Sequence, residues 1–586
     1  MNSWIHPAAI MIIGAGLIPF LKGNVRKGYS LLLPVLAFIS VITMKEGTYG
    51  VYNLLGQDII FGRVDKLSLI FAFVFTIAAF SMVLFGLKAD NRGHYLTAMI
   101  YPGGALGVVF AGDLLTVLLF SEFMAFSSLF FVLHGNTRVS TKAAYRYILV
   151  HAFSGVMLMG GIIIYYVAQG TFAFNGFGGA ELTMGTGLIL FSFLINAAVP
   201  FLGAWCPDAY PESSIFGGVF LSAFTTKTSI YALCRGYAGL DILIWIGAFT
   251  AIYAIIYAVL ENDIRRLLSH HIISQVGFMI CAIGVGSDMA INGAVAHALA
   301  NVVYKGLLFM GAGAIIYMTG RRKLTEMGGL YKVMPWTFIL FMIGAFSIAA
   351  TPFTLGFVSK SIILSAVAEK HHMYAWIVLT LASTGTFLSI TLKLGYFAFF
   401  AKDTGIEAKD PPVSMLYGMA IPAFLCIFWG LYPAHFYHML PYDMHYEPYT
   451  AEHLVFVFQL LLFTAVAFFG FLKVASPKRY IALDTDWFYR KGGKLFMCFA
   501  YRVALAADEA VSNAYNTILI KYTKATSEES WTFDKSIVDG AVNGVGAIIL
   551  RLGRVFRRIQ TGQLQHYAIV VLIGVVLLIN LLFFFR

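Results

Sequence analysis

The sequence predicts an all-α polytopic membrane protein, and three observations carry that prediction. Of 586 residues, 59% are hydrophobic and only 12% charged, where soluble domains carry about 25% charged residues; mean hydropathy is +0.80. The apolar residues recur in blocks of about 20, each long enough to cross a hydrocarbon core of roughly 30 Å as a helix. No polar linker of the kind that joins soluble domains interrupts the first 470 positions. A soluble globular enzyme is thereby excluded.

Reading between charged or Gly/Pro breaks places spans near 4–21, 27–44, 65–88, 95–111, 113–134, 143–168, 184–204, 213–235, 239–260, 269–286, 289–318, 335–369, 374–400, 412–437, 451–473 and 566–585, about sixteen in all. The first block, Trp4 to Leu21, has no basic stretch before it and no small-residue cleavage site after it, so it reads as a retained span. Alternate loops differ in charge. One set holds fifteen Lys and Arg, among them Lys22, Arg26, Arg138, Arg265, Arg266, Arg321 and Arg322; the other holds only Lys45, Arg63, Lys66, Arg235 and Lys370. By the positive-inside rule the N-terminus lies outside and the long tail lies in the cytoplasm. The net charge of +11 therefore belongs to topology and to lipid headgroups rather than to nucleic acid.

Two spans carry breakers: Pro200, Pro207 and Pro211 follow the block at 184, and Thr351-Pro352 lies inside the block at 335–369. Broken helices in corresponding places of two halves are the mark of an inverted repeat, because a break frees backbone dipoles at mid-membrane; simple structural kinks are the alternative. The tail changes character. Between Lys473 and Gln565 there are 14 Lys/Arg against 8 Asp/Glu. Within it Arg551, Arg554, Arg557 and Arg558 repeat at helical spacing opposite Ile548, Ile549, Leu552, Val555, Phe556 and Ile559. Such a helix is too polar to span and suits a lateral position on a membrane surface or along neighbouring subunits. The expected organisation is N-terminal helices over 1–94, a core over 95–400, further spans over 401–473, the amphipathic segment over 474–565 and an anchoring span over 566–586.

An ionisable group at bilayer depth costs about 2.5–3.5 kcal/mol on insertion scales, so each asks for a partner or a task. The candidates are few: Glu122, Lys227, His297, Lys305, Lys360 and Lys393. His297, Asn301 and Lys305 recur at i, i+4 and i+8 and share one helix face. A histidine, an amide and lysines along one axis suit proton relay, since burial eases proton loss from lysine and imidazole titrates near neutrality; hydrogen bonding for packing is the alternative. With one intramembrane carboxylate the chain offers little to a dedicated Na⁺ cage. Five dispersed cysteines without a CxxC pair give no support to a metal, iron–sulfur or disulfide framework, and no cofactor is expected.

Four stretches resemble a known family: DLLTVLLFSEFMAFSS around Glu122, WCPDAYPESS leading to Lys227, ENDIRRLLSHHIISQVGFM followed by HALANVVYKGLLFMGAG, and MGGLYKVMPWTFILFMIGAFSIAATPFTLGFVSKSIIL. They are similar, in order from about 95 to 400, to the antiporter-like membrane subunits of respiratory complex I, Mrp-type Na⁺/H⁺ antiporters and membrane-bound hydrogenases. LDTDWFYRK, SIVDGAVNGVG and RRIQTGQLQHYAI are similar to the C-terminal extension of the large complex I subunit, with its lateral helix and final anchor.

The resemblance implies that Glu122 pairs with Lys227 on the first broken helix, that Lys305 is the central lysine of a polar axis, and that Lys360 is the terminal one on the second broken helix. Two positions depart from the family pattern. Asn301 stands where a second histidine is expected, and Ser154 where some members carry an acid; His151, one turn before Ser154, is a substitute. The expected function is proton translocation within a larger membrane complex, coupled to electron transfer or to Na⁺ exchange, with homologous and small membrane subunits, the bilayer and H⁺ as partners and the inner (cytoplasmic) membrane as location. The membrane half of an inorganic-carbon uptake system and a structural scaffold are the other readings.

Overall fold

The structure is a computed structural model; it describes residues 5–54, 56–89, 91–177, 182–478, 486–523, 534–559 and 563–584. The chain divides into two compact units, Met1–Asp486 and Trp487–Arg586. Eleven helices among the described residues are long and apolar enough to cross a membrane, and shorter apolar helices lie at Pro7–Phe20, Met184–Asn196 and Pro335–Ile348. The protein is thus a multi-pass, essentially all-α membrane protein. Several expected spans are not single long helices because breaks divide them, as at 184–204, 213–235 and 335–369.

The first unit opens with α1 (Pro7–Ala15) and α2 (Gly23–Thr43). Among the described residues its one departure from all-α is an antiparallel hairpin of β1 (Gly47–Leu54) and β2 (Gln57–Val64). The runs TYGVYNL and DIIFGRV are rich in β-branched and aromatic residues, and Gly56 turns between them at a φ of 80°. The hairpin closes over the neighbouring helix ends: Ile60 N donates to Asp113 Oδ2 at 2.7 Å and Gly112 N to Ile60 O at 2.9 Å.

Then follow α3 (Lys66–Phe85), α4 (Arg92–Phe110), α5 (Leu114–Leu133), α6 (Arg138–Gln169), α7 (Met184–Asn196), α8 (Trp205–Ala209), α9 (Ile215–Leu221), α10 (Thr225–Gly236), α11 (Ile242–Leu260), α12 (Ile264–Val285), α13 (Asp288–Thr319), α14 (Pro335–Ile348), α15 (Leu355–Glu369) and α16 (Met373–Thr386). The last continues as a π-helix over Phe387–Leu394 and Tyr396–Phe400. The unit ends with α17 (Val413–Leu431), α18 (Pro433–Tyr437), α19 (Ala451–Gly470) and α20 (Leu472–Ala475).

Two stretches of this order repeat each other. The helices α4 and α11 both have 19 residues, and α6 and α13 both have 32. Asp113 caps α5 and bridges to Ala173; Asp263, 150 residues later, caps α12 and bridges to Lys323. Both stretches then reach a broken helix of the same local sequence, Ala-Ala-Val-Pro-Phe at 197–201 and Ala-Ala-Thr-Pro-Phe at 349–353.

The backbones at the two breaks also agree. Ala198 and Ala350 have φ of 60° and 56°, Phe201 and Phe353 have 70° and 69°. Ala198 N bonds Ile195 O and Val199 N bonds Leu194 O, as Ala350 N bonds Ser347 O and Thr351 N bonds Phe346 O. This is a left-handed C-terminal cap followed by proline, which cannot continue a helix. Counted with α7–α8, α9–α10 and α14–α15 as one crossing each, α4–α10 and α11–α16 make five crossings apiece, and an odd count sets the second stretch upside down relative to the first. That is the inverted repeat.

α12 and α13 are almost wholly buried and form the axis around which the rest packs. In the second unit α21 (Asp486–Thr523), α22 (Asp539–Ile559) and α23 (Leu564–Phe584) are described. The 38-residue α21 and the basic α22 fall within residues 474–565, and α23 is long and apolar enough to cross a membrane.

Candidate proton-conducting axis

The first stretch supplies the carboxylate. Glu122 lies on α5 and faces α6 at Gly155, where a Cβ would collide with Glu122 Oε1. Glu122, Ser121, His151, Ser192, Asn196, Thr225, Thr228 and Ser229 line one cavity of about 30 Å³, enough for about one water molecule. His151 Nδ1 and Asn196 Oδ1 are 2.9 Å apart. Ser154 bonds Ser192 Oγ at 2.9 Å, so the position where an acid was expected serves helix packing instead. Tyr101 OH accepts from Thr225 N at 3.0 Å and fixes the start of α10.

The expected Glu122–Lys227 ion pair does not form, and Lys227 does not lie on the first broken helix. It stands on α10, beyond a second interruption at Ser222–Phe224 that no proline announces, and its Nζ donates to Ser222 O at 2.7 Å. The break at 197–201 carries Asn196 instead.

The four buried lysines share one device. Lys360 Nζ donates to Ile348 O at 3.1 Å, Lys393 Nζ to Val259 O at 2.5 Å and Glu261 O at 2.7 Å, and Lys305 Nζ to Leu268 O at 3.0 Å. Ser222, Ile348, Val259 and Glu261 lie at helix C-terminal ends, whose carbonyls lack an intrahelical donor and carry the negative end of the helix dipole. Lys305 alone sits on a carbonyl inside a helix. None of the four makes an ion pair among the described residues. Each ammonium is thus held by dipoles instead of a counter-charge, which leaves a proton free to depart without breaking a salt bridge.

A hydrogen-bonded run joins the elements of the second stretch. Ser359 Oγ on α15 meets His297 Nδ1 at 3.0 Å, His297 Nε2 meets Gln275 Oε1 at 3.1 Å, and Gln275 Nε2 donates to Thr386 Oγ1 on α16 at 3.4 Å. Tyr304 OH stands 3.4 Å from His297 Nε2 and accepts from Asn301 Nδ2 at 3.1 Å. One turn along α12, His271 Nε2 meets Ser389 Oγ at 2.8 Å. Leu268, His271 and Gln275 thereby bring Lys305, Ser389 and His297 onto one face of α12. Lys360 Nζ, next to Ser359 in the chain, also reaches Ser383 Oγ at 3.4 Å.

The expected His297–Asn301–Lys305 face is present, and all three side chains are buried. Gln275, His271, Ser359, Tyr304 and Asn196 were missed. Single polar residues inside apolar blocks give no spacing signal, although the adjacent His270-His271 pair was a visible oddity in an apolar run.

The two 32-residue helices show how the repeat was put to different use. Counted from their first residues, Gly155 of α6 and Lys305 of α13 stand in the same register, as do His151 and Asn301. In the first stretch the charged group comes from α5 into the space over a glycine; in the second it comes from α13 toward α12.

At the membrane edge, Arg235 at the end of α10 donates through Nη1 and Nη2 to Asp65 Oδ2 and Oδ1, both at 2.9 Å. Burial pushes the Asp65 carboxyl up, but the hydrogen bonds and charge of Arg235, with those of Ser68 N and Arg63, outweigh it and hold it below the usual value. On the opposite edge Arg322 joins Asp263 and Glu212.

The sequence pattern of the family described as NADH:quinone oxidoreductase/Mrp antiporter, transmembrane, matches residues 111–389. One Na(+)/H(+) antiporter protein of Alkalihalophilus pseudofirmus is 30% identical over 349 residues, 55% of this chain and 69% of that protein. Another Na(+)/H(+) antiporter protein of the same organism is 28% identical over 486 residues, 71% of this chain, and this chain spans 59% of its length. NAD(P)H-quinone oxidoreductase chain 5 of a Picosynechococcus species is 25% identical over 87% of this chain and 85% of that protein.

Among solved structures, a chain of the membrane-bound sulfane sulfur reductase, an archaeal respiratory membrane complex, shares the fold at a TM-score of 0.70 and 22% identity, covering 98% of this chain and 99% of that one. By fold the chain is a multi-pass helical membrane protein built around a buried polar axis. It belongs to the NADH:quinone oxidoreductase/Mrp antiporter transmembrane family.

Proposed function

We propose that this chain moves protons across the membrane as one subunit of a multisubunit complex, with Glu122, Lys227, His297, Lys305 and Lys360 as the proton-bearing groups and Asn301 and Lys393 in support. The observation that carries the reading is the set of buried lysines held on backbone carbonyls, with His271 and Gln275 of α12 and His297 of α13 hydrogen-bonded alongside Lys305 and Lys360. An amine on a carbonyl dipole can lose its proton and keep a neutral contact, whereas a salt-bridged one would leave a buried charge behind. Hydroxyl, amide and imidazole groups between the lysines shorten the hops that water must bridge.

The relatives named as Na(+)/H(+) antiporter subunits and as a quinone oxidoreductase chain support two couplings, Na⁺ exchange and electron transfer. The charge asymmetry of the loops supports an N-terminus outside and α21–α22 on the cytoplasmic side of the inner (cytoplasmic) membrane. The neighbouring subunits would then lie along that lateral segment.

The test is the native complex in sealed vesicles carrying a pH-sensitive dye, energised in turn by a Na⁺ gradient and by an electron donor. Glu122→Gln, Lys227→Met and Lys305→Met should each abolish coupled proton movement while the complex still assembles. Retained pumping in all three would refute the reading.

A further inference from the structure

Resting on the proton-transport reading, we propose that His151 is the proton partner of Glu122: imidazole and carboxyl face one cavity and share a proton through a single bridging water. His151 is 4% exposed. Its ring is held between Tyr147 and Trp205, with centroids 4.3 and 4.7 Å away, so it cannot turn freely. Nδ1 is committed to Asn196 Oδ1 at 2.9 Å, and an amide oxygen only accepts, so Nδ1 carries the hydrogen. Nε2 is then the acceptor. It is buried and has no partner among the described residues.

His151 and Glu122 both line the cavity of about 30 Å³, which has room for about one water, and Ser121, Ser192, Thr228 and Ser229 offer that water further bonds. The ionisable groups named around the cavity and the ring are Glu122 from α5 and Tyr147 from its own helix; α7 presents Asn196 and Ser192, α8 presents Trp205, and α10 presents Thr225, Thr228 and Ser229.

The step balances without another reactant. Protonated Glu122 gives its proton to the water while the water gives one to Nε2, leaving a carboxylate beside an imidazolium; the reverse step restores two neutral groups. The pair takes the place of the missing ion pair with Lys227. In the inverted stretch the same register holds Asn301, so the device belongs to the first stretch alone.

The test uses the native complex with His151→Asn, whose amide can replace Nδ1–H toward Asn196 and removes Nε2. Infrared difference spectra, with the Glu122 band assigned by Glu122→Gln, follow the carboxyl group across pH. The expected result is that the carboxyl stretch of Glu122 persists at alkaline pH where the unmodified complex has lost it, with proton movement reduced by about a hundredfold, the low end of what a positioned proton-transfer group contributes. An unchanged Glu122 titration in His151→Asn overturns the proposal. The infrared signal reads the pair whether or not protons cross, so that result leaves the transport reading to its own assay.

Discussion

Replacing two of the buried lysines by methionine should affect stability in different ways, although both changes remove transport. Lys305 and Lys360 are 0% and 1% exposed, so each substitution relieves a similar cost of burying an ammonium. What differs is the group left behind. Leu268 O lies inside α12 and keeps Ile272 N as its own helical partner, so Lys305→Met strands nothing. Ile348 O ends α14, and among the described residues no backbone N–H reaches it; Lys360→Met therefore orphans a buried carbonyl, at a cost of about 1–3 kcal/mol. Lys360 Nζ also stands 4.9 Å over the Phe278 ring, a contact worth up to about 2 kcal/mol when desolvated. Lys305→Met should thus be more stable than Lys360→Met by about 1–5 kcal/mol. Thermal unfolding of the purified protein in detergent, followed by tryptophan fluorescence, measures the order. The reasoning fails if Lys360→Met melts at or above Lys305→Met.

Gly155→Ala should displace the Glu122 carboxylate and lower proton movement by about a hundredfold, as misplacement by about 1 Å does for reacting groups; Gly160→Ala, where nothing lies within 4 Å, should leave it unchanged. Ala198→Gly and Ala350→Gly relieve left-handed backbone at the two breaks and should each raise the unfolding free energy by about 1 kcal/mol, read by chemical denaturation. Asp65, held below its ordinary value of 3.8, contributes stability that is complete above that pH and is lost as pH falls through its lower value in the folded protein. Melting temperature should therefore drop on acidification below about pH 4, and Asp65→Asn should remove that part of the dependence.

The parts of the fold that were legible in the sequence are those written in runs and breakers. Hydropathy blocks gave most helices within a few residues, and the Pro200 and Pro352 breaks pointed to a repeat whose backbone the structure reproduces at both places. The hairpin at 47–64 was passed over because it is short and lies between two strong apolar blocks. The interruption at Ser222–Phe224 carries no proline or glycine of its own; Tyr101 from another helix holds it through Thr225, a tertiary cause that local sequence cannot display.

The site divides in the same way. Charged residues in apolar runs are conspicuous, so Glu122 and the lysines could be listed from the sequence. Which atoms they meet could not, because carbonyls are present at every residue and only a helix end makes one available. The resemblance implied a pairing of Lys227 with Glu122, while its Nζ rests on Ser222 O.

The most direct test of the central claim is proton uptake by the native complex in sealed vesicles when Lys305 alone is changed to methionine. The account predicts an assembled complex, no less stable than the unmodified one, in which coupled proton movement is lost. Undiminished proton movement in that variant would contradict it.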